Sequence, residues 1–312
     1  MSRTLLLFLA VSRLAFADYG WIPEYQKLIA KVGLALQRSS ENFDSDGERA
    51  DIRVGNSAGS FSETRFFLET EYGIAEDWAF GFRGQIISGA VEGVNSGNTL
   101  ASGTGIGDTL TWLKYNFKTD SPILTLETRI KFPTGSGSPA TNQDLVVGDG
   151  NFDLGFLLHT GHRIGKVFLS FSPGFLTRFG NYSHAILYES SVRVNFPRGY
   201  LKIFSDGIFS LVEETLNDSS LKAHDAPGSG GTYARLSGSP TGINLGGIFG
   251  FRFYERWALE LGASHGLYGV RYPNALNIFG TLRAEFDFFT PETKKRIREV
   301  PLDSDGNDKF YN

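Results

Sequence analysis

Apolar and polar residues alternate along most of the chain, in segments of about ten residues that are separated by connections. The span 123–132 shows the pattern, with Leu124 and Ile130 on one face and Glu127 and Arg129 on the other. A period of two is typical of a β-strand that separates an apolar from a polar environment. The pattern predicts twelve strands, with approximate spans 28–38, 61–73, 78–91, 107–117, 123–132, 152–161, 167–178, 186–196, 200–211, 243–253, 257–266 and 277–289.

The connections between these spans alternate between short and long. The short ones are 73–77, 118–122, 161–166, 197–199 and 254–256. The long ones are 39–60, 92–106, 133–151, 212–242 and 266–276, and 179–185 is a short exception among them. A soluble sandwich has no reason to sort its loops by length, whereas an outer-membrane barrel has tight periplasmic turns and longer extracellular loops. We therefore predict an all-β, antiparallel, up-and-down transmembrane β-barrel of twelve strands, whose even strand number places both termini in the periplasm.

The two faces of the predicted strands also favour a membrane barrel. One face is apolar and the other carries most of the charge, as expected when lipid surrounds the barrel and water fills it. A soluble sandwich would also expose a charged face, but it would need connections that cross between two sheets, and this chain reads as a plain meander. Aromatic residues of the type found at membrane interfaces flank the short turns: Tyr72, Trp78, Tyr115, Phe117, Phe196, Tyr254 and Trp257.

The two ends of the chain differ from the repeating pattern. Arg3, the apolar run 4–11 and the small residues Ala15 and Ala17 have the order of a secretory signal peptide, which we predict to span 1–17. Residues 18–27 then form a segment that covers the periplasmic mouth or enters the lumen. The barrel spans 28–289, and the charged stretch 290–312 is a periplasmic tail. No later run approaches the ~20 apolar residues that a spanning helix needs.

Composition agrees with a strand-rich exported protein. The 312 residues include 38 glycines and 27 phenylalanines but no cysteine, and a protein that crosses an oxidising periplasm has reason to avoid stray thiols. The net charge is −4 and no basic block occurs in the body of the chain, so nucleic-acid binding has no support.

Two motifs suggest metal binding, and neither is convincing. Asn42, Asp44, Asp46 and Gly47 have the spacing of the start of a calcium loop, but Arg53 occupies the position where that loop holds a glutamate. The acidic stretch 303–307 is shorter still. Clusters of aspartate and glycine are usually solvated turns, so we predict neither a metal nor another cofactor.

The histidines provide the basis for an alternative function as an enzyme. His159 and His162 lie at a predicted strand end and turn, and we interpret them as solvated turn residues. Strand pairing brings His184 and His265 near several serines at the outer rim, which is what an outer-membrane lipid hydrolase would need. No sequence feature marks these residues as one site, so the main hypothesis is not an enzyme.

The polar face supplies the principal functional candidates. A twelve-stranded barrel has a narrow lumen, where charges either lock each other into a filled interior or line a solute path whose selectivity they set. The predicted lining residues are Arg83, Lys114, Glu127, Arg129, Lys131, Arg193, Arg252, Arg283 and Glu285.

Several short motifs occur in a familiar order. They are Gly105-Ile106-Gly107-Asp108, Lys114-Tyr115, Pro122, Lys131-Phe132-Pro133-Thr134-Gly135, Gly148-Asp149-Gly150 and Asp153. This order resembles that of the outer-membrane transporters associated with the meta-pathway of phenol degradation, over roughly residues 105–155. The resemblance implies an outer-membrane barrel that takes up hydrophobic or aromatic compounds.

These observations predict a channel or transporter in the outer membrane of a Gram-negative-type bacterium, for passive uptake of a small hydrophobic or aromatic solute. The expected partners are that solute, outer-membrane lipid and lipopolysaccharide, and the barrel-assembly machinery. The alternatives are the lipid-modifying hydrolase and a structural or adhesion barrel that acts through its extracellular loops, above all 212–242.

Overall fold

The computed structural model describes residues 22–44, 46–54, 57–94, 96–119, 121–135, 147–148, 151–179, 183–212, 241–270 and 272–288. The predicted signal peptide, the tail 290–312 and nearly all of the loop 212–242 lie outside these residues. Within the described ranges, no helix is long and apolar enough to cross a membrane.

The described residues form strands in the following order. They are β1 (Lys27–Ser39), β2 (Glu41–Phe43), β3 (Arg49–Asp51), β4 (Arg53–Val54), β5 (Ser57–Ala75), β6 (Trp78–Gly93), β7 (Thr99–Ile106), β8 (Thr109–Lys118), β9 (Ile123–Phe132), β10 (Asp153–Ile164), β11 (Val167–Arg178), β12 (Ala185–Phe196), β13 (Gly199–Ser210), β14 (Thr241–Tyr254), β15 (Trp257–Val270), β16 (Tyr272–Pro273) and β17 (Leu276–Asp287).

Twelve of these strands close into an antiparallel barrel. Neighbours in the barrel follow the order β1, β5, β6, β8, β9, β10, β11, β12, β13, β14, β15 and β17, and β17 pairs back with β1. The closing pair runs in one register from Lys27 opposite Asp287 to Arg38 opposite Leu276. Closure satisfies the backbone hydrogen bonds that an open sheet edge would leave exposed to lipid.

Each of the twelve predicted strands corresponds to one barrel strand, which confirms the predicted fold. Three predicted connections were wrong in detail, because 92–106 contains β7, 39–60 contains β2, β3 and β4, and 266–276 contains the end of β15 and β16. Small and polar residues such as those of β7 have little strand character alone. They form strands here because an extended neighbour offers hydrogen-bond partners, as β6 does for β7.

The barrel carries apolar side chains outside and polar side chains inside. On β1, Val32, Leu34 and Leu36 are 41–47% exposed, whereas Gln37 on the alternate face is buried. The remaining barrel strands repeat this pattern, with outward residues that include Phe66, Leu68, Phe80, Ile86, Leu113, Phe156, Leu158, Phe171, Ile186, Val192, Leu201, Ile203, Phe249, Leu261 and Ile278. An apolar belt of this extent faces lipid, so the barrel is a transmembrane one.

The two ends of the barrel differ, as the connection lengths predicted. At the short-turn end, connections such as 165–166, 197–198 and 255–256 join adjacent strands directly, and Gly165 adopts a positive φ of 59° in the first of them. Aromatic residues gather at this end, where the rings of Trp78 and Tyr115 lie 4.6 Å apart. The opposite, long-loop end holds the remaining connections.

The described part of the predicted N-terminal segment contacts the short-turn end. The amide of Gln26 donates to the carbonyl of Gly73 at 2.8 Å. A methyl group built on Gly73, an inward position of β5, would lie 2.3 Å from the carbonyl oxygen of Glu24 and 2.6 Å from that of Pro23. Only glycine permits the segment to lie so close to the strand.

One barrel strand is interrupted. Residues 86–92 of β6 pair with β7, and residues 78–83 of β6 pair with β8. β7 and β8 together therefore form one strand that is broken at Gly107 and Asp108. The break is hydrogen-bonded, since Thr134 Oγ1 donates to the Gly107 carbonyl at 2.9 Å and the Gly135 amide donates to Asp108 Oδ1 at 3.1 Å. Three of the motifs that carry the family resemblance, those at 105–108, 131–135 and Gly148, therefore meet at this break. The predicted end of the strand at residue 132 is confirmed, because β9 ends at Phe132.

Candidate functional site: the barrel lumen

All nine predicted lining residues lie on the inner face of the barrel. They come together in groups rather than as one site. Lys114, Glu127 and Arg129 form one group, and Glu285 lies 2.9 Å from Arg283 and 4.0 Å from Arg252 in another. The other three make separate contacts: Lys131 lies 2.5 Å from Asp153, Arg193 packs over the ring of Tyr200, and Arg83 packs over the ring of Phe67.

A chain of ion pairs crosses part of the lumen. It consists of Glu71, Lys114, Glu127, Arg129 and Glu189, which we call the ion-pair belt. Lys114 Nζ lies 2.7 Å from Glu71 and 3.8 Å from Glu127, and Arg129 Nε lies 2.6 Å from Glu127. The belt reaches from β5 to β12, because Arg129 also lies 3.7 Å from Glu189. Paired charges of this kind narrow the lumen and fix the positions of its side chains.

A second group of charges lies beside the belt. Lys31 Nζ donates to Glu69 Oε1 at 3.0 Å, and Arg83 lies 3.9 Å from the other oxygen of Glu69. We call Lys31, Glu69 and Arg83 the junction group, because these three side chains line the two larger cavities described next.

Two cavities of similar volume lie in the described part of the lumen, and a third, of about 140 Å³, is lined by Glu189, Lys202 and Phe204 among others. The first, of about 250 Å³, lies against β8, β9 and β10 and is lined by the belt residues. The second, of about 280 Å³, lies against β13, β14, β15 and β17 and is lined by Phe67, Tyr200, Lys202, Phe204 and Phe279 as well as by charged side chains. The first two cavities share the junction group, and the third shares Glu189 with the first and Lys202 and Phe204 with the second.

His159 differs from its predicted role. It is not a solvated turn residue, since it lies within β10 and is only 2% exposed. Its ring nitrogens lie 2.8 Å from Ser172 Oγ and 3.0 Å from Glu127 Oε2. Because the alternation continues through β10, His159 faces inward, and the predicted end of this strand at residue 161 was too early.

Serine, histidine and carboxylate in a row are the components of a hydrolase triad, but two observations oppose that role. Ser172 is 1% exposed and lines a cavity inside the barrel, so its hydroxyl does not face the surrounding lipid. The next residue is Pro173, which has no N–H to stabilise an oxyanion beside the serine. The row instead holds Glu127 in place within the ion-pair belt.

The histidines of the predicted hydrolase are placed elsewhere. His184 lies 6.0 Å from the ring of Phe175, and His265 Nδ1 lies 2.7 Å from the Gly266 carbonyl oxygen. Ser183 Oγ donates to the backbone carbonyl of His184 at 2.9 Å, a contact that does not involve the imidazole ring.

The calcium-like motif forms a turn. Asp44 Oδ1 accepts hydrogen bonds from the amides of Asp46 and Glu48, both at 2.9 Å. No group of three or more histidine or acidic side chains in the described part of the chain is arranged to hold a metal ion. The stretch 303–307 lies outside the described residues.

Sequence reasoning missed several side chains that shape the lumen. Lys31, Trp112, Tyr200 and Lys202 were not among the predicted lining residues, although all four line a cavity. The alternation of faces along each strand would have identified them. Each lies either an even number of residues from an inward charge on the same strand or directly opposite an inward charge on the neighbouring strand. Aromatic residues were overlooked because rings are expected on the lipid face.

Comparisons with known proteins give a fold but no family. Neither a family model nor a curated protein matches the chain. The COG4313 outer-membrane channel from Pseudomonas putida F1 is similar in structure, with a TM-score of 0.65 and 13% sequence identity over 87% of this chain and 99% of that one. The P. putida toluene transporter TodX has a TM-score of 0.44, 9% identity and coverage of 86% and 92%, and the CymD monoaromatic hydrocarbon channel has 0.42, 9%, 85% and 90%. The last two scores are too low to support an argument. The chain thus has the fold of a twelve-stranded outer-membrane β-barrel.

Proposed function

We propose that the protein is an outer-membrane channel for the passive uptake of a small solute. The observation that carries this proposal is the pair of charge-lined cavities, about 250 and 280 Å³, inside a closed barrel with an apolar outer belt. A barrel that served only as an anchor would gain by filling its interior with apolar side chains, since buried charges are costly. A polar, water-accessible interior is instead what a solute path requires.

The solute is hydrophobic or aromatic. Rings line the lumen among the charges, with Phe67, Tyr200, Phe204 and Phe279 all lining the second cavity. Their apolar faces supply contact area that a path for inorganic ions would not need. The resemblance of residues 105–155 to transporters associated with phenol degradation supports the same class, and the structurally similar COG4313 chain is described as an outer-membrane channel.

The orientation follows from the asymmetry of the barrel ends. The short-turn end and both termini face the periplasm, and the long-loop end faces the exterior. A signal peptide at 1–17 directs export, the barrel-assembly machinery inserts the barrel, and lipopolysaccharide and phospholipid surround it.

The two alternative functions receive less support. Hydrolysis is opposed by the burial of Ser172 and by Pro173, as described above. An adhesion barrel would act through the loop 212–242, of which all but three residues at its ends lie outside the described ranges.

Single-channel recording of the purified protein in a planar bilayer tests the proposal. We expect discrete, stable openings, because water-sized space is present on both sides of the junction group. Heat-modifiable migration on a gel provides the control, since it shows that the same preparation contains a closed barrel. A preparation that is folded by this criterion and never conducts would refute the channel.

A further inference from the structure

The inward rings of the barrel lie against glycines of neighbouring strands. A methyl group built on Gly33 would lie 2.2 Å from Phe67 Cζ, and one built on Gly250 would lie 2.2 Å from Tyr200 Cε1. The same relation joins Trp112 with Gly81, Phe168 with Gly161, Phe204 with Gly246 and Phe279 with Gly262. Because each ring covers a position without a side chain, it lies along the wall of the barrel.

Cations lie over four of these rings. The guanidinium carbon of Arg193 is 4.0 Å from the ring centroid of Tyr200, and that of Arg83 is 4.3 Å from the centroid of Phe67. The ammonium nitrogen of Lys202 is 5.8 Å from the centroid of Phe204, and that of Lys114 is 6.0 Å from that of Trp112. All four distances are within the range of a cation–π contact.

The second cavity combines rings that lie against glycines with cations that lie over rings. Four rings line it, together with the cations Lys31, Arg65, Arg83 and Lys202 and the carboxylates Glu63, Glu69 and Glu260. The carboxylates are held in place by neighbours, since Arg65 contacts Glu63 at 2.9 Å, Lys31 contacts Glu69 at 3.0 Å and Tyr200 donates to Glu260 at 2.9 Å. Positive charge exceeds negative charge by one, four cations against three carboxylates, in a space of about 280 Å³.

We infer that the second cavity binds a small organic anion that carries an aromatic ring, an inference that rests on the proposed channel function and narrows its solute. A ring contacts the aromatic wall and the exposed face of a stacked guanidinium, while a carboxylate accepts charge-assisted hydrogen bonds from arginine or lysine. A neutral hydrocarbon uses only the rings, and an inorganic anion uses only the cations. An aromatic cation is repelled by the excess positive charge of the cavity.

Block of the ionic current tests this inference, with benzoate, benzyl alcohol and acetate as probes. The recordings use ~0.1 M salt, where the Debye length is about 10 Å, so that salt does not fully screen the attraction between the probe and the cations of the cavity. We expect benzoate to halve the conductance at a concentration about tenfold below that of either other probe, because only benzoate engages ring and cation together. Equal half-blocking concentrations for the three probes would overturn the inference.

Two variants locate the site. Phe67→Leu and Arg83→Gln should each raise the half-blocking concentration of benzoate by about threefold to tenfold, the range expected from one lost cation–π contact. The matched control is Phe168→Leu, since Phe168 also covers a glycine but does not line either cavity. A control variant that weakens the block as much as Phe67→Leu would place binding elsewhere and overturn the assignment.

Calorimetric titration of benzoate into the detergent-solubilised protein separates this inference from the channel proposal. Conduction without saturable benzoate binding overturns the inference and leaves the channel intact. Saturable binding that Arg83→Gln weakens, in a protein that does not conduct, supports the site and overturns the channel.

Discussion

Replacing Glu127 by glutamine removes the charge at the centre of the ion-pair belt while keeping the size of the side chain. Glu127 accepts from Arg129 Nε at 2.6 Å, lies 3.0 Å from His159 Nε2 and lies 3.8 Å from Lys114, and its side chain is 5% exposed. The variant leaves two partly buried cations, Lys114 at 12% and Arg129 at 24% side-chain exposure, facing a neutral amide. We expect it to lower the free energy of unfolding of the barrel.

The structure sets the size of the effect. Breaking a buried ion pair by removing one partner costs about 3–5 kcal/mol, because the other charge remains buried. Here both cations keep a second acid, since Lys114 lies 2.7 Å from Glu71 and Arg129 lies 3.7 Å from Glu189. These contacts lower the expected loss to about 2–3 kcal/mol.

Glu285→Gln is the matched control. Glu285 also contacts two arginines, Arg283 at 2.9 Å and Arg252 at 4.0 Å, but its side chain is 28% exposed. Water reaches the Glu285 carboxylate and Arg252, whose side chain is 27% exposed, so the loss should cost about 1 kcal/mol even though the side chain of Arg283 is only 7% exposed.

Reversible urea unfolding in lipid vesicles, followed by tryptophan fluorescence, measures both variants against the unmodified protein. The difference between the two losses of free energy should exceed about 1 kcal/mol if burial determines the strength of the lumen ion pairs. Losses that agree within about 0.5 kcal/mol would refute the reasoning, because Glu127 would then be as well solvated as Glu285.

Two further predictions concern the wall and the charge of the lumen. Gly81→Ala should destabilise the barrel by about 1–3 kcal/mol in the same unfolding assay, because its new methyl group would lie 2.0 Å from Trp112 Cε2. Gly247→Ala, whose nearest neighbouring atom is at 3.6 Å, should change stability by less than about 0.5 kcal/mol, and a comparable loss in both would contradict the ring-on-glycine packing. Neutralising Arg129 and Lys131 together should shift the reversal potential in a salt gradient toward cation selectivity, because two positive charges leave the inner wall. An unchanged reversal potential would show that these two side chains do not line the conducting path.

The period-two alternation was sufficient to predict the fold. A strand between lipid and water must present apolar and polar residues in turn, so 186–196 and 277–289 could be assigned from the sequence alone. The sorted connection lengths then separated a membrane barrel from a sandwich. The same local rule failed for Thr99–Ile106, whose strand depends on pairing with the extended end of β6 rather than on its own residues.

The inward position of the charges also followed from the sequence, because parity along a strand fixes the face on which a side chain lies. The partners of those charges did not follow. Arg129 contacts Glu189 across two intervening strands, and Trp112 donates to Glu71 across one, at 2.8 Å. Such contacts depend on the curvature of the closed barrel, which brings together residues that neither parity nor register relates.

The sequence by itself therefore determined the strands, the lipid-facing side and the charged character of the interior, since each depends on local alternation. Only the tertiary structure decided that His159 joins Ser172 to Glu127 and that inward rings lie on glycines along the wall. The physical reason is that these features depend on distances between strands that are far apart in the chain, and barrel closure alone sets those distances.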